Sequence, residues 1–144
     1  MGSRGFRGYI SSRPFCGERV PQHIQNIVIR EYCAKKNIPY LLSATEVAMR
    51  DGYLMLTQLL DGIRLVDGIA FYSMLQLPPS LEGRQNVYSR VIGADRSIHF
   101  AVEELCLQTE QDAEQIEEIM QIRAWLPKAA EISRYDYKDL CRGP

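Results

Sequence analysis

The chain has 144 residues, of which 46% are apolar, and its formal net charge is −1. This length suits one compact domain, and the charge argues against a protein that mainly holds a nucleic-acid backbone, because such domains carry a marked basic excess. No apolar run reaches the roughly 18 residues that a membrane span needs, and there is no C-x-x-C pair. The sequence therefore predicts a cytoplasmic protein without membrane span, disulfide framework, metal centre or cofactor; its scattered cysteines are Cys16, Cys33, Cys106 and Cys141.

The first third of the chain reads as strand, helix and strand. Residues 6–10 form a short apolar segment that predicts the first strand, and Pro21 suits the first turn of a helix that ends near Asn37. Residues 38–42 predict a second buried strand with a Ser/Thr-rich exit loop. The inward-facing stripe of the helix is predicted to consist of Ile24, Ile27, Val28 and Tyr32.

The same alternation continues to the end of the predicted domain. Ser80 suits the N-cap of a third helix, and Thr109 followed by Asp112 resembles a capping box that opens a fourth. Pro127 ends or interrupts that last helix. The remaining elements are a second helix at 53–60, a third strand at 69–72 and a fourth strand at 97–101.

Strands that alternate with helices at these spacings indicate βαβ units. We therefore predict an α/β three-layer sandwich with a mostly parallel sheet of about four strands, in the order 2-1-3-4, and helices on both faces. Residues 1–126 are assigned to this domain and residues 127–144 to a C-terminal extension. In this order the exits of the first and third strands meet at the switch point, where open α/β sheets bind their ligands.

Polar side chains follow each predicted strand, and they define the predicted ligand site. Hydroxyl groups and a few charges suit a sugar or phosphosugar, and Arg13 or Arg19 would take an anionic group bidentately. The predicted ligand-binding residues are Ser11, Ser12, Arg13, Arg19, Ser43, Thr45, Glu46, Tyr72 and Ser73.

The residues leave open whether the protein is an enzyme. A nucleophilic Ser11 or Ser12 would need a base, for which His23 is the better candidate because His99 lies within a strand and is expected to be a buried, hydrogen-bonded histidine. A second arrangement pairs Glu46 with Glu103, either for acid/base work or to hold a divalent cation. The alternative is that these groups only cap helices and loops.

Three segments together resemble a known family. They are Arg7-Gly8-Tyr9-Ile10-Ser11-Ser12-Arg13-Pro14-Phe15, Tyr40-Leu41-Leu42-Ser43-Ala44-Thr45-Glu46 and Asp67-Gly68-Ile69-Ala70-Phe71-Tyr72-Ser73. Over about residues 7–122 the chain resembles the sporadic carbohydrate cluster proteins of bacteria. The resemblance implies a setting in surface-polysaccharide or unusual-sugar synthesis, but no defined reaction.

The order of elements is also similar to the N-terminal catalytic domain of serine recombinases, the resolvase group, whose fold the chain is therefore expected to share. That group opens with G-Y-x-R-V-S and carries further arginines after its third strand. Here Ser11 stands in place of the first arginine, Arg13 in place of the nucleophilic serine, and residues 72–78 contain no arginine. Phosphoryl transfer needs clustered cations, so the resemblance implies the fold without recombination chemistry.

These observations favour a protein that binds a sugar or phosphosugar at the strand exits. One alternative is a non-catalytic partner of a pathway enzyme, or a homo-oligomer, that docks through its C-terminal tail and an apolar lip formed by Met74, Leu75, Leu77 and Leu81. A second is a DNA-binding domain derived from a recombinase without its activity.

Overall fold

The computed structural model describes residues 4–14, 19–46 and 52–123. Contacts divide the chain into one unit up to Glu110 and a second from Gln111. Helix α4 covers residues 110–123, and its residues 111–123 are the described part of the second unit. The predicted extension at 127–144 lies outside the described residues. The other elements are β1 (Phe6–Ser11), α1 (Gln22–Lys35), β2 (Tyr40–Glu46), α2 (Leu54–Asp61), β3 (Gly68–Phe71), α3 (Leu81–Gly93), β4 (Ser97–Phe100) and β5 (Leu105–Leu107), with 3-10 turns at Ile63–Leu65 and Met74–Gln76.

The strands form one sheet in the order β2-β1-β3-β4-β5. The first four are parallel, and β5 pairs antiparallel with β4. The α/β class and the predicted order 2-1-3-4 are confirmed, whereas the predicted count of four strands misses β5. That strand has only three residues and follows a tight turn in which Glu104 has a φ of 53°. A strand this short leaves no periodic pattern to detect.

Helix α1 covers one face of the sheet. Its inward side chains pack on Phe6 and Ile10 of β1 and on Ala70 of β3. The predicted apolar stripe is wrong at Ile24 and Ile27, which are 39% and 56% exposed. The buried residues of α1 are Gln25, Ile29, Tyr32 and Cys33.

The error has a physical reason. Gln25 is completely buried because its amide group binds the backbone at the end of β1, and this rotates α1 so that Ile24 and Ile27 turn outward. Apolar periodicity assumes that a helix buries only apolar side chains. A buried amide is an exception to this assumption, because its burial costs little free energy when all its hydrogen bonds are made.

Helices α2 and α3 contact each other, and the buried leucines of α2 and the buried Val87, Tyr88 and Val91 of α3 supply the second apolar layer. On the sheet, aromatic rings of three neighbouring strands stack in a row: Tyr9 lies 4.7 Å from Phe71, which lies 5.4 Å from Phe100. None of the described helices is long and apolar enough to span a membrane.

Candidate functional site

The loop after β1 carries three of the predicted site residues, and two of them are engaged in holding the loop. The Ser11 hydroxyl accepts a hydrogen bond of 3.0 Å from the Arg13 backbone N–H, which closes a local turn. The Ser12 hydroxyl donates over 3.4 Å to the backbone carbonyl of Glu46. These two serines therefore stabilise the exit of β1, and Arg13 is the residue whose side chain extends away from it.

Gln25 and Gln76 connect the exits of β1 and β3. The Gln25 carbonyl oxygen accepts from Ser11 N–H at 3.1 Å and from the Gln76 amide at 2.7 Å, while its own amide donates to the carbonyls of Ser11 and Val20, each at 2.8 Å. Gln76 in turn accepts from Ser73 N–H at 3.3 Å. The switch point of the sheet is thus filled by a satisfied side-chain network.

The exit of β4 joins the same network through Glu103. Its carboxylate accepts from the Ser73 hydroxyl at 2.7 Å and from Met74 N–H at 2.8 Å. Ser73 and Gln76 also form a capping box on the 3-10 turn Met74–Gln76. The predicted residues Ser73 and Glu103 are therefore brought together, as the cap of this turn.

Glu46 caps helix α2 from the end of β2. Its carboxylate is buried and accepts from Met55 and Leu56 N–H, both at 3.1 Å, and from the Tyr9 hydroxyl at 3.0 Å. Burial above all, and then the charge of Glu46, raises the pKa of Tyr9 far above its usual range, so the phenol remains a donor. Glu46 therefore caps α2, whereas Glu103 caps the 3-10 turn, so each carboxylate of the predicted acid/base pair holds a separate segment.

The remaining predicted residues lie apart from Arg13. Ser43 and Thr45 lie within β2, which continues to Glu46, so the exit loop predicted after residue 42 is wrong. Ser43 faces α1, where it bonds to Asn26 at 2.6 Å and to the Tyr40 hydroxyl, and Thr45 is half-buried. Tyr72 packs against the α1-side core, and Arg19 and His23 are exposed near the start of α1. Of the nine predicted ligand-binding residues, Arg13 alone lines the cleft between α2 and α3 that forms the candidate site.

That site is a cleft of about 520 Å³ between α2 and α3, near their N-terminal ends. The volume lies within the range of about 300–1,000 Å³ that is usual for small-molecule sites. Because both helices start at the carboxyl edge of the parallel sheet, the cleft lies where α/β proteins bind ligands. Its lining consists of Arg13, Tyr53, Leu56, Thr57, Leu60, Pro78, Pro79, Ser80, Gly83, Asn86 and Val87.

The Arg13 side chain is fixed at the rim of this cleft. Its guanidinium carbon lies 4.3 Å from the centroid of the Tyr53 ring, and Nη2 donates to the Gly52 carbonyl over 2.6 Å. A guanidinium group has five N–H donors, and this bond uses one of them. Among the described residues no carboxylate forms an ion pair with Arg13. The group is suited to bind an anion.

The cleft offers binding groups and lacks the usual acid/base groups. Thr57 and Ser80 supply hydroxyl groups and Asn86 an amide, but none of the described lining residues is Asp, Glu, His or Cys. Nor do the described residues contain a group of three or more His, Cys, Asp or Glu side chains that could hold a metal ion. The arrangement is suited to recognition of a polar, anionic molecule.

Sequence reasoning found Arg13 because it follows a strand, and it missed the rest of the lining. Thr57 and Asn86 belong to helices and Tyr53 is the N-cap of α2, so no rule about strand exits includes them. The available signal was the pair of prolines before Ser80, since Pro78 and Pro79 set the start of α3 and form one wall of the cleft. The predicted apolar lip is largely absent: Met74 and Leu77 are buried, Leu75 is half-buried, and Leu81 is 52% exposed.

Fold and cleft together define an α/β protein with a mostly parallel sheet and a cleft of mixed polar and apolar lining at the carboxyl edge of its strands. No protein-family model matches the chain, and no curated protein matches it significantly.

Proposed function

We propose that the protein binds a small sugar bearing an anionic group, such as a phosphosugar, in the cleft between α2 and α3. The biological setting that we propose is bacterial surface-polysaccharide or unusual-sugar synthesis, as the family resemblance of residues 7–122 implies. The observation that carries the binding proposal is Arg13, whose guanidinium lies over Tyr53 at the rim of the cleft.

The fixed position of Arg13 supports an anion as the ligand. A guanidinium that is held in place loses less side-chain entropy when it binds a phosphate or carboxylate, and it can form two parallel N–H···O bonds. The bond to Gly52 and the ring of Tyr53 hold it from two sides. We therefore place the anionic group of the ligand against Arg13.

The chemistry of the cleft supports a sugar as the remainder of the ligand. Hydroxyl and amide groups on two helices can exchange hydrogen bonds with ring hydroxyls, and the leucines between them offer apolar surface to the C–H face of a sugar. Neutral polar contacts of this kind contribute about 0.5–1.5 kcal/mol each, whereas a bond to a charged group contributes about 1.5–3 kcal/mol. Arg13 should therefore dominate the affinity.

The proposal can be tested by thermal denaturation with a panel of hexose phosphates, nucleotide sugars, free hexoses and inorganic phosphate. A ligand at a hundredfold excess over its Kd adds about 2.7 kcal/mol to the free energy of unfolding, which raises the Tm by roughly 8 °C for a domain of this size. We expect such a shift with a phosphorylated sugar and a smaller one with the matching free hexose.

Arg13→Gln should abolish the shift. Arg30→Gln is the matched control, because Arg30 also lies over a tyrosine, with its guanidinium carbon 5.6 Å from the Tyr40 ring centroid, but it belongs to α1. Absence of any shift across the panel, or a shift that persists in Arg13→Gln, would contradict the proposal. Co-purification with a carbohydrate enzyme in the absence of ligand binding would favour the partner-protein alternative, and salt-sensitive binding to duplex DNA would favour the recombinase-derived one.

A further inference from the structure

A cysteine, a histidine and a tyrosine meet on the α1 side of the sheet, away from the α2–α3 cleft. Cys106 of β5 lies directly opposite His99 of β4 in the antiparallel register, so both side chains project from the same face. The Cys106 Sγ lies 3.8 Å from His99 Nε2. A thiol and an imidazole at this distance are within hydrogen-bond reach, which is the arrangement that activates a nucleophilic cysteine.

The imidazole ring is held in position by its second nitrogen and by its neighbours. His99 Nδ1 lies 2.8 Å from the Tyr32 hydroxyl of α1, and Phe6 packs edge-on against the ring at 5.1 Å between centroids. A phenol oxygen can both donate and accept a hydrogen bond. It can therefore accept a hydrogen bond from Nδ1–H while Nε2 takes up the proton of the thiol. Tyr32 thus plays the part of the third group that orients the base.

The surroundings of His99 keep its imidazole neutral. Burial, and then the positive charge of Lys36, lowers the pKa of His99, so the ring carries no charge at neutral pH, and the same two effects disfavour its protonated form. Burial also raises the pKa of Tyr32, which remains protonated. The titratable or charged groups facing this cluster are Tyr32, Cys33 and Lys36 of α1, Glu104 of the turn and Cys106 of β5.

We propose that Cys106 is a nucleophilic thiol that small carbon electrophiles modify, with His99 as its proton acceptor and Tyr32 as the residue that positions the imidazole. The thiol proton passes to His99 Nε2, the sulfur attacks the electrophilic carbon, a new S–C bond forms, and the leaving group departs with the electron pair of the broken bond. With iodoacetamide the leaving group is iodide, and the imidazolium then releases the proton to solvent.

A second cysteine of the same cluster provides an internal contrast. Cys33 is only 1% exposed, and burial raises the pKa of its thiol, so it should be inert in the folded protein. Cys106 is half-buried, so part of the residue lies at the surface of the described structure. The reactivity of Cys106 does not depend on the ligand proposed for the cleft, because the two sites share no residue.

The test is alkylation of the full chain by iodoacetamide, in native buffer and in urea, with the rate at each cysteine read by peptide mass spectrometry. Transfer of the thiol proton to His99 during the attack should make native Cys106 react several-fold faster at neutral pH than Cys106 of the unfolded chain. Native Cys33 should react more slowly than unfolded Cys33 in the same samples.

Two variants separate activation from exposure. His99→Gln keeps a hydrogen-bonding side chain without a base, and it should reduce the native Cys106 rate below the unfolded rate. Tyr32→Phe keeps the ring and removes the hydroxyl, and it should reduce the rate to an intermediate value without unfolding the chain. If native Cys106 reacts no faster than unfolded Cys106, the thiol is not activated and the proposal fails. If Cys106 in folded His99→Gln reacts as fast as in the wild type, the imidazole is not the proton acceptor. If His99→Gln does not fold, a wild-type rate in Tyr32→Phe shows that Tyr32 does not position the imidazole.

Discussion

The buried amide of Gln25 should be one of the largest polar contributions to the stability of the protein. It is fully buried, and replacing it with leucine would remove four hydrogen bonds, three of them wholly inside the protein. The orphaned groups would be the N–H and carbonyl of Ser11 and the amide of Gln76. Each buried group left without a partner costs about 1–3 kcal/mol, and the apolar leucine offsets part of the loss, so we expect Gln25→Leu to lower the free energy of unfolding by about 3–4 kcal/mol.

Urea denaturation followed by circular dichroism measures this change directly. The matched control is Gln22→Leu, the same substitution at an exposed position of the same helix, which should change the free energy of unfolding by no more than about 0.5 kcal/mol. Because Gln25→Leu orphans the amide of Gln76, adding Gln76→Leu should cost about 1–2 kcal/mol less than it does in the wild-type background. A loss below about 1 kcal/mol for Gln25→Leu, or strict additivity of the two substitutions, would refute the reasoning.

Three other predictions follow from backbone packing and protonation. Gly68→Ala should lower the free energy of unfolding by more than about 3 kcal/mol, because a Cβ there collides with the Ser97 carbonyl oxygen. In Gly93→Ala the added Cβ meets no atom within 4 Å, and the substitution should stabilise helix α3 by about 0.5–1 kcal/mol. Equal Tm values for the two variants would contradict this prediction. The raised pKa of Tyr9 means that unfolded chains lose a proton above pH 10.0 while folded chains keep it. The free energy of unfolding should therefore fall there by up to about 1.4 kcal/mol per pH unit. Denaturation of Tyr9→Phe across the same pH range should show a smaller fall. The lowered pKa of His99 means that unfolded chains gain a proton first as pH falls below 6.5, so stability should decline there, and denaturation of His99→Gln across the same pH range should show a smaller decline.

The sheet could be predicted because its signals are local. Each parallel strand is a short apolar run followed by polar residues, and the crossover rule then restricts the order of strands. The hydrogen bonding of His99 was predicted as well, since a polar ring within a strand requires a partner, and that partner is Tyr32; the residue is half-buried, however, where full burial was expected. What failed was the phase of α1 and the existence of β5. Both depend on tertiary contacts, in one case a buried glutamine and in the other a hairpin with Glu104 in the left-handed region.

The candidate site was less predictable for a different reason. The strand-exit rule identifies an edge of the sheet, but it does not say which polar groups at that edge are consumed by the loops themselves. Ser11, Glu46 and Ser73 lie at the expected edge, yet their hydrogen bonds are made to backbone N–H groups or to other side chains of that edge. A sequence does not distinguish a hydroxyl that caps a turn from one that faces a ligand.

The hydrogen bonds that these polar groups make at the edge of the sheet explain why the Arg13 side chain reaches the cleft. The loop after β1 is fixed from both sides, by Gln25 at Ser11 and by the Glu46 carbonyl at Ser12. Because Ser11 and Ser12 are both anchored, the backbone directs the next side chain, Arg13, to Tyr53 and the cleft. It follows that Gln25→Leu should weaken ligand binding in the cleft even where the protein still folds, because it releases the loop that positions Arg13. Equal affinities for wild-type protein and folded Gln25→Leu, measured by calorimetry with the ligand found in the panel, would show that the cleft holds Arg13 without help from the network.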